Sequence, residues 1–329
     1  MSTHDKAKKA ELGMTNSRIF FVTDLHGSEL CFKKFLNAAK VYNANVLILG
    51  GDLTGKMIVP IVDNNGHWNT KFLGKDTQVK SRDELSKLEM QIRSCGYYPY
   101  TSNQKEIDDL NSSPDKVRTL FMNLMLEQVN RWMALAEERL ASSGVQLYVT
   151  GGNDDPLEIE PVLNKSNYVI NPENRVVDIG EGMEMVSSGF GNITPWKCPR
   201  DIEEDALLAK LESIASQVHT TERAVFNLHV PPYDSGLDMA PQLDKTLKVD
   251  THAGTGVTMI PVGSTAVRKI IEKYQPMIGL HGHIHESRGV AKIGRTTCIN
   301  PGSEYGEGFL RGVAIDLDRK GFTYVLTSG

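Results

Sequence analysis

Five times along this chain a short apolar run stops at a cluster of glycine, aspartate, asparagine or histidine, and no other feature of the sequence restricts the fold as much. The runs are Ile19-Phe20-Phe21-Val22, Val46-Leu47-Ile48-Leu49, the segment Gln146 to Thr150, Ala224 to Leu228, and Met277 to Leu280. Runs with so little polar alternation describe strands buried on both faces, as in a parallel sheet covered by helices. Between the first two lies Ser28 to Val41, where Leu30, Phe32, Phe35, Leu36 and Ala39 suit one buried helical face and Ser28 suits the N-cap. Strand, helix and strand at this spacing predict a parallel pair with a right-handed crossover.

The rest of the chain is consistent with one domain over 1–329, carrying an insertion at about 57–112. Within the insertion, Met57 to Asp63 reads as a strand, Gly66-His67-Trp68 as a turn and Ser81 to Cys95 as a helix. Further helices are expected over Ser113 to Ser143, Asp201 to Val218 and Ser264 to Tyr274, with a long loop over 233–262 and late strands near Thr297, Val313 and Tyr324. Hydrophobic residues make up 40% and charged residues 23%, which places the chain among globular proteins. A formal charge of −5 gives no basic excess for holding an extended nucleic acid. The apolar runs fall far short of the ~18 residues that a membrane span needs. The polar segment Met1 to Ser17 reads as a frayed start without a signal sequence. Cys31, Cys95, Cys198 and Cys298 form no C-x-x-C and read as free, buried thiols. A cytoplasmic location, without a membrane partner, is the expectation.

The clusters that end the five runs are Asp24-x-His26, Gly51-Asp52, Gly152-Asn153-Asp154, His229 and Gly282-His283-x-His285. In open α/β sheets, sites assemble at the carboxyl ends of strands. With Asp154 left aside, the ligand inventory of two Asp, one Asn and four His is all nitrogen and oxygen, which suits Mn, Fe, Zn or Ni better than a cysteine-built structural zinc site. Seven ligands exceed what one tetrahedral ion takes and suit two ions that share a carboxylate, for which Asp52 is the natural bridge.

The ordered set D-x-H, G-D, G-N-x, H, G-H-x-H resembles the calcineurin-like metallophosphoesterases, with Asp24 and His26, Asp52, Asn153, His229, and His283 and His285 in the five places. The matches run from 19 to 303, and Asn300-Pro301-Gly302-Ser303 is also similar to that superfamily. The third motif, G-N-D-D, resembles an Icc-like branch. The resemblance implies a four-layer α/β/β/α sandwich of two mixed sheets. It also implies two divalent metal ions, Mn or Fe with Zn or Ni as alternatives. One would be held by Asp24, His26, Asp52 and His285, the other by Asp52, Asn153, His229 and His283. The activity implied is phosphoester hydrolysis by a metal-bridging hydroxide, on a small phosphoester substrate. A non-catalytic metal-binding scaffold or protein-interaction module on the same fold is the alternative.

Asp154 stands where many members place a histidine that assists the leaving group. A carboxylate there donates no proton and repels an oxyanion, so phosphodiesters are the expected substrates and Asp154 the candidate catalytic residue. His281 fits no ligand slot and is expected to orient a neighbouring ligand. Gly50 to Lys56 mimics a G-x4-G-K phosphate loop, but Met57 replaces its Ser or Thr and no helix follows. Trp68, Tyr97, Tyr98 and Tyr100 are expected in packing or in a homodimer interface. Trp196, Lys197 and Arg200 read equally as a solvated loop or as substrate contacts, and His4, His67, His219 and His252 as surface residues.

Overall fold

A computed structural model describes residues 17–249, 251–252, 256–317 and 321–329. His4 and nearly all of the expected frayed start lie outside them, as does the side chain of His252. The chain runs through β1 (Ser17–Val22), α1 (Glu29–Val41), β2 (Val46–Leu49), β3 (Ile58–Asp63), β4 (Trp68–Phe72), β5 (Lys75–Val79), α2 (Arg82–Ser94), β6 (Tyr98–Ser102), α3 (Gln104–Asn111), α4 (Pro114–Leu140) and β7 (Gln146–Val149). It continues through α5 (Glu160–Lys165), β8 (Val176–Asp178), β9 (Glu184–Ser188), α6 (Glu204–Ala215), β10 (Ala224–Leu228), α7 (Thr265–Tyr274), β11 (Ile278–Leu280), β12 (Gly289–Ile293), β13 (Thr296–Asn300), β14 (Arg311–Leu317) and β15 (Phe322–Ser328).

Two mixed sheets carry the fold. The first has the order β15-β14-β1-β2-β7, with β1, β2 and β7 parallel and β14 and β15 antiparallel. The second has the order β12-β13-β11-β10-β9-β8, with β13, β11, β10 and β9 parallel. One apolar cluster, including Phe21, Ile48, Tyr148, Val225, Leu280 and Ile315, joins a face of each sheet. The outer face of the first sheet packs on α1 and α4 through Phe35, Leu47, Trp132 and Ala136. The outer face of the second packs on α6 and α7 through Leu211, Phe226, Val267 and Ile270. Helix, sheet, sheet and helix stack as the resemblance implies. The unbroken apolar runs are thereby explained: β1, β2 and β10 have one core on each side.

Helix α1 begins where expected, with the Ser28 hydroxyl accepting from the Cys31 amide. Its buried face differs by one position. Leu30 is 38% exposed and Ala39 half-buried, whereas Cys31 and Ala38 join Phe32, Phe35 and Leu36 inside, because Leu30 lies out against Gly308 rather than against the core. Residues 58–102 contain a separate four-stranded sheet, β5-β4-β3-β6, with α2 against it and its own core of Val59, Ile61, Trp68, Leu85 and Ile92. The turn expected at 66–68 is shorter, since Trp68 already starts β4. The loop over 233–262 contains a short ribbon of Met239–Pro241 with Met259–Pro261. Trp68 and Tyr98 are buried, and all four cysteines are free, Cys31 and Cys298 buried and the others half-buried. Among the described residues, no helix is long and apolar enough to cross a membrane.

Candidate metal centre

Parallel strands of both sheets end at one edge, and the five clusters meet there. The ladder between β1 and β2 continues past the strands: Asp24 N–H donates to the Gly51 carbonyl at 3.0 Å, His26 N–H to Asp52 at 2.9 Å and Gly27 N–H to Leu53 at 2.7 Å. These loops keep their pairing only by turning sharply. Asp24, His26 and Asp52 adopt φ of 55°, 40° and 50°, and His283 adopts 67°. Left-handed backbone at non-glycine residues is uncommon, and such strain gathers at functional sites. Across the edge, His229 N–H donates to the Ser188 carbonyl at 3.0 Å and Gly282 N–H to His229 at 2.8 Å. The buried Asn300 amide donates to the carbonyls of Gly282 and Ile284, and the Ser303 hydroxyl donates to that of Asp24 at 2.7 Å. The Asn300-Pro301-Gly302-Ser303 segment thus ties the fifth cluster to the first.

The side chains converge as two groups, Asp24 with His26 and His285, and Asp52 with His229 and His283. In each, the ligand atoms lie within 4.8 Å of one another, and Asp154 forms a third such group with His26 and Asp52. His285 Nε2 stands 3.3 Å from Asp24 Oδ1, His229 Nε2 stands 3.4 Å from Asp52 Oδ1, and the Nε2 atoms of His26 and His285 are 3.1 Å apart. Asn153 Oδ1 lies 2.9 Å from His283 Nδ1, and its amide nitrogen donates to Asp201 at 3.0 Å, which turns the oxygen inward. Asp154 is half-exposed at the rim, 3.9 Å from His26 Nδ1.

The electrostatics follow from burial and proximity. Burial pushes His26 down to about 3 and His283 to about 4, so both rings are neutral at pH 7. Burial opposes charge on His229 as well, but Asp52 and then Asp24 outweigh it and hold that ring up to about 9. At the carboxyls, His285 and then His229 outweigh burial for Asp24, and His229 outweighs it for Asp52, holding both below the usual range.

The donor set fits divalent cations. Two buried carboxylates face four imidazoles, and among the described residues His26 Nδ1 and His229 Nε2 have no hydrogen-bond partner. The other His229 nitrogen, Nδ1, lies 3.1 Å from the Gly50 carbonyl, which as acceptor fixes a proton there, so Nε2 is the nitrogen that would give up its proton to take a divalent ion. His281 Nδ1 bonds the Leu228 carbonyl at 2.7 Å and so steadies the backbone one residue before His229.

Four residues enter this site that the sequence did not place in it. Asp155 is buried and accepts from the Gly152 and Leu53 amides at one oxygen and from the Thr54 amide and hydroxyl at the other. Arg200 is not part of a solvated loop. Its guanidinium is fully buried beneath the G-N-D-D loop, bonded to the Asp155 carbonyl at 3.0 Å and Glu160 at 2.5 Å. Tyr305 lays its ring 4.7 Å from that of His26, and Lys56 reaches Asp154 at 3.0 Å. A dense run of loop amides in search of acceptors was the available signal for Asp155. His67 and His219 are exposed, the latter bonded to Glu184.

No protein-family model matches the chain. Over 168 residues it is 33% identical to the uncharacterised protein MJ1162 of Methanocaldococcus jannaschii, a match covering 50% of this chain and 68% of that one. A solved crystal structure superposes with a TM-score of 0.55 at 14% identity, covering 95% of this chain and 99% of the other. The protein TT1561 of Thermus thermophilus gives 0.51 at 12% identity with the same coverage. At such identities the likeness concerns the fold.

Proposed function

We propose that this chain, which belongs to the family of the Methanocaldococcus jannaschii protein MJ1162 and has the calcineurin-like metallophosphoesterase fold, is a dinuclear metal-dependent phosphoesterase that favours phosphodiesters. The observation that carries the reading is the pair of buried Asp and His groups at the shared sheet edge, with His229 Nε2, which has no hydrogen-bond partner among the described residues, aimed between Asp52 and Asp24.

In this reading Asp24, His26, Asp52 and His285 hold one divalent ion, and Asp52, Asn153, His229 and His283 hold the other. The nitrogen and oxygen set suits Mn or Fe, with Zn or Ni also compatible. When bound, such a pair supplies a nucleophilic hydroxide near neutral pH and neutralises charge on a phosphoryl group. The protein's part is to hold the ligands still. Gly50 fixes the His229 tautomer, Asp201 orients Asn153, and the carbonyl contact of His281 steadies the strand end that carries His229. Asp154 faces the open side and acts on substrate charge. Its carboxylate repels a dianionic monoester about twice as strongly as a monoanionic diester.

The test is hydrolysis of a bis-aryl phosphate against an aryl phosphate in Mn, Fe, Zn and Ni, with Asp154→His beside the wild type. The expected result is cleavage of the diester, slow turnover of the monoester, and a gain in monoester turnover for Asp154→His. If protein carrying two ions cleaves neither substrate, the chain is a non-catalytic member of the fold and the proposal fails.

A further inference from the structure

The phosphate-loop mimic Gly50 to Lys56 is not followed by a helix, and the ligand assignment above absorbs Asp52 but leaves Lys56 without a task. The structure spends unusual effort on the backbone just before it. Three consecutive amides are held by side chains from distant elements: Leu53 N–H donates to Asp155 Oδ2 at 2.9 Å, Thr54 N–H to Asp155 Oδ1 at 2.8 Å and Gly55 N–H to the Tyr98 hydroxyl at 2.7 Å. One anchor comes from the G-N-D-D loop and the other from β6 of the 58–102 sheet. Gly55 is also wedged, since a Cβ there would meet the Tyr98 ring at 3.0 Å and the Gly96 carbonyl carbon at 3.2 Å.

On this pinned base Lys56 carries a side chain that is 48% exposed. Its Nζ rests 3.0 Å from Asp154 Oδ2, and that oxygen lies 3.9 Å from His26 Nδ1. The ammonium is therefore one carboxylate away from the metal-ligand groups, on their open side. A half-exposed ion pair contributes little and opens readily. A lysine ammonium is a compact point charge with three donors, suited to a phosphate oxygen.

We propose that Lys56 is the residue that binds a non-bridging oxygen of the substrate's phosphoryl group, exchanging Asp154 for it when substrate enters. The proposal rests on the phosphoesterase reading and deepens it. No covalent bond changes in this exchange. The ammonium keeps its protons and moves from one oxyanion to another. Asp154 then acts as a competitor that weakens binding of any phosphate unable to displace it.

The test is calorimetric titration of orthophosphate into the manganese-loaded full chain, with ion content measured on the same samples. Lys56→Gln is expected to weaken phosphate binding about 10- to 100-fold, the range for losing one charge-assisted hydrogen bond, with two ions retained. Lys56→Arg keeps the charge and is expected to stay within about tenfold of wild type. Asp154→Asn is expected to tighten binding, both by releasing the ammonium and by removing its own repulsion, and the gain is expected to be smaller in the Lys56→Gln background, where only the second effect is left. The proposal is overturned if Lys56→Gln binds phosphate as wild type does, or if wild type holding two ions binds none. Wild type holding no ions removes the phosphoesterase reading itself, and the Lys56 proposal with it. Elemental analysis separates the two failures.

Discussion

Gly152→Ala perturbs the candidate centre without removing a ligand. A Cβ on Gly152 would overlap the Oδ1 and amide of Asp52 and stand 2.8 Å from its Cγ. Ordinary carbon–carbon contact is about 3.5–4.0 Å, so the Asp52 carboxylate must retreat by about 1 Å. Asp52 has little room, because its oxygens face His229 at 3.4 Å and His26 at 3.6 Å and one accepts the Asp154 amide at 3.0 Å. Overpacking of this kind costs about 1–3 kcal/mol. At about 2.1 cal/mol/K per residue, 329 residues give an unfolding entropy of about 0.7 kcal/mol/K, so Tm falls by only about 1–4 °C. The effect on the site is far larger, since a misplacement of about 1 Å costs about 100-fold in turnover. The assay combines thermal melts, ions per chain and bis-aryl phosphate hydrolysis. Gly306→Ala serves as the comparison, because a Cβ there meets nothing within 4 Å. If Gly152→Ala keeps two ions and turnover within twofold of wild type, the reasoning that makes the packing of this glycine against Asp52 critical to the proposed centre is refuted.

Three further outcomes are expected. Asp155→Asn replaces two acceptor oxygens with one and turns an NH2 toward amide donors, so it should lower stability by about 3 kcal/mol, seen as a Tm drop of about 4 °C. Trp132→Ala empties the slot where the indole stacks on Phe32 at 4.2 Å, and should cost about 3–5 kcal/mol in denaturant unfolding while ion content per folded chain stays the same. Burial pushes His281 down to about 4, whereas the unfolded ring titrates at its ordinary 6.5. The folded pKa is the lower one, so this stability is present above about pH 6.5 and is lost as pH falls toward 4. From pH 7 to 5 the loss is about 2 kcal/mol, and unfolding of His281→Asn should show a correspondingly shallower pH dependence.

Much of the architecture was legible because strands with a core on each side must be apolar throughout, and the segments around Phe21, Ile48 and Phe226 are. The clusters were legible for a related reason. Charged and imidazole residues directly after such strands have few structural excuses there. What the sequence hid depends on distant partners. Arg200 and Asp155 are 45 positions apart, and Asp155 and Leu53 are 102 apart. Nothing near Arg200 in the chain announces that its charge will be buried against Glu160. Lys56 lay inside a false phosphate-loop match, and its pairing with Asp154 joins two strand ends that only the parallel sheet brings together. The β4–β5 hairpin escaped because Lys75 to Val79 is polar on both alternate faces. Leu30 was misplaced because an apolar residue in a first turn fits the periodicity even where no core reaches it.

The proposed centre depends above all on one carboxylate, Asp52, being shared by two ions. The deciding quantity is the number of manganese ions bound per chain in wild type and in Asp52→Asn. Two per chain are expected in the wild type and one or none in the variant, with Tm measured on both to show that the fold persists. Fewer than one ion per wild-type chain, or an unchanged count in Asp52→Asn, would contradict a shared carboxylate.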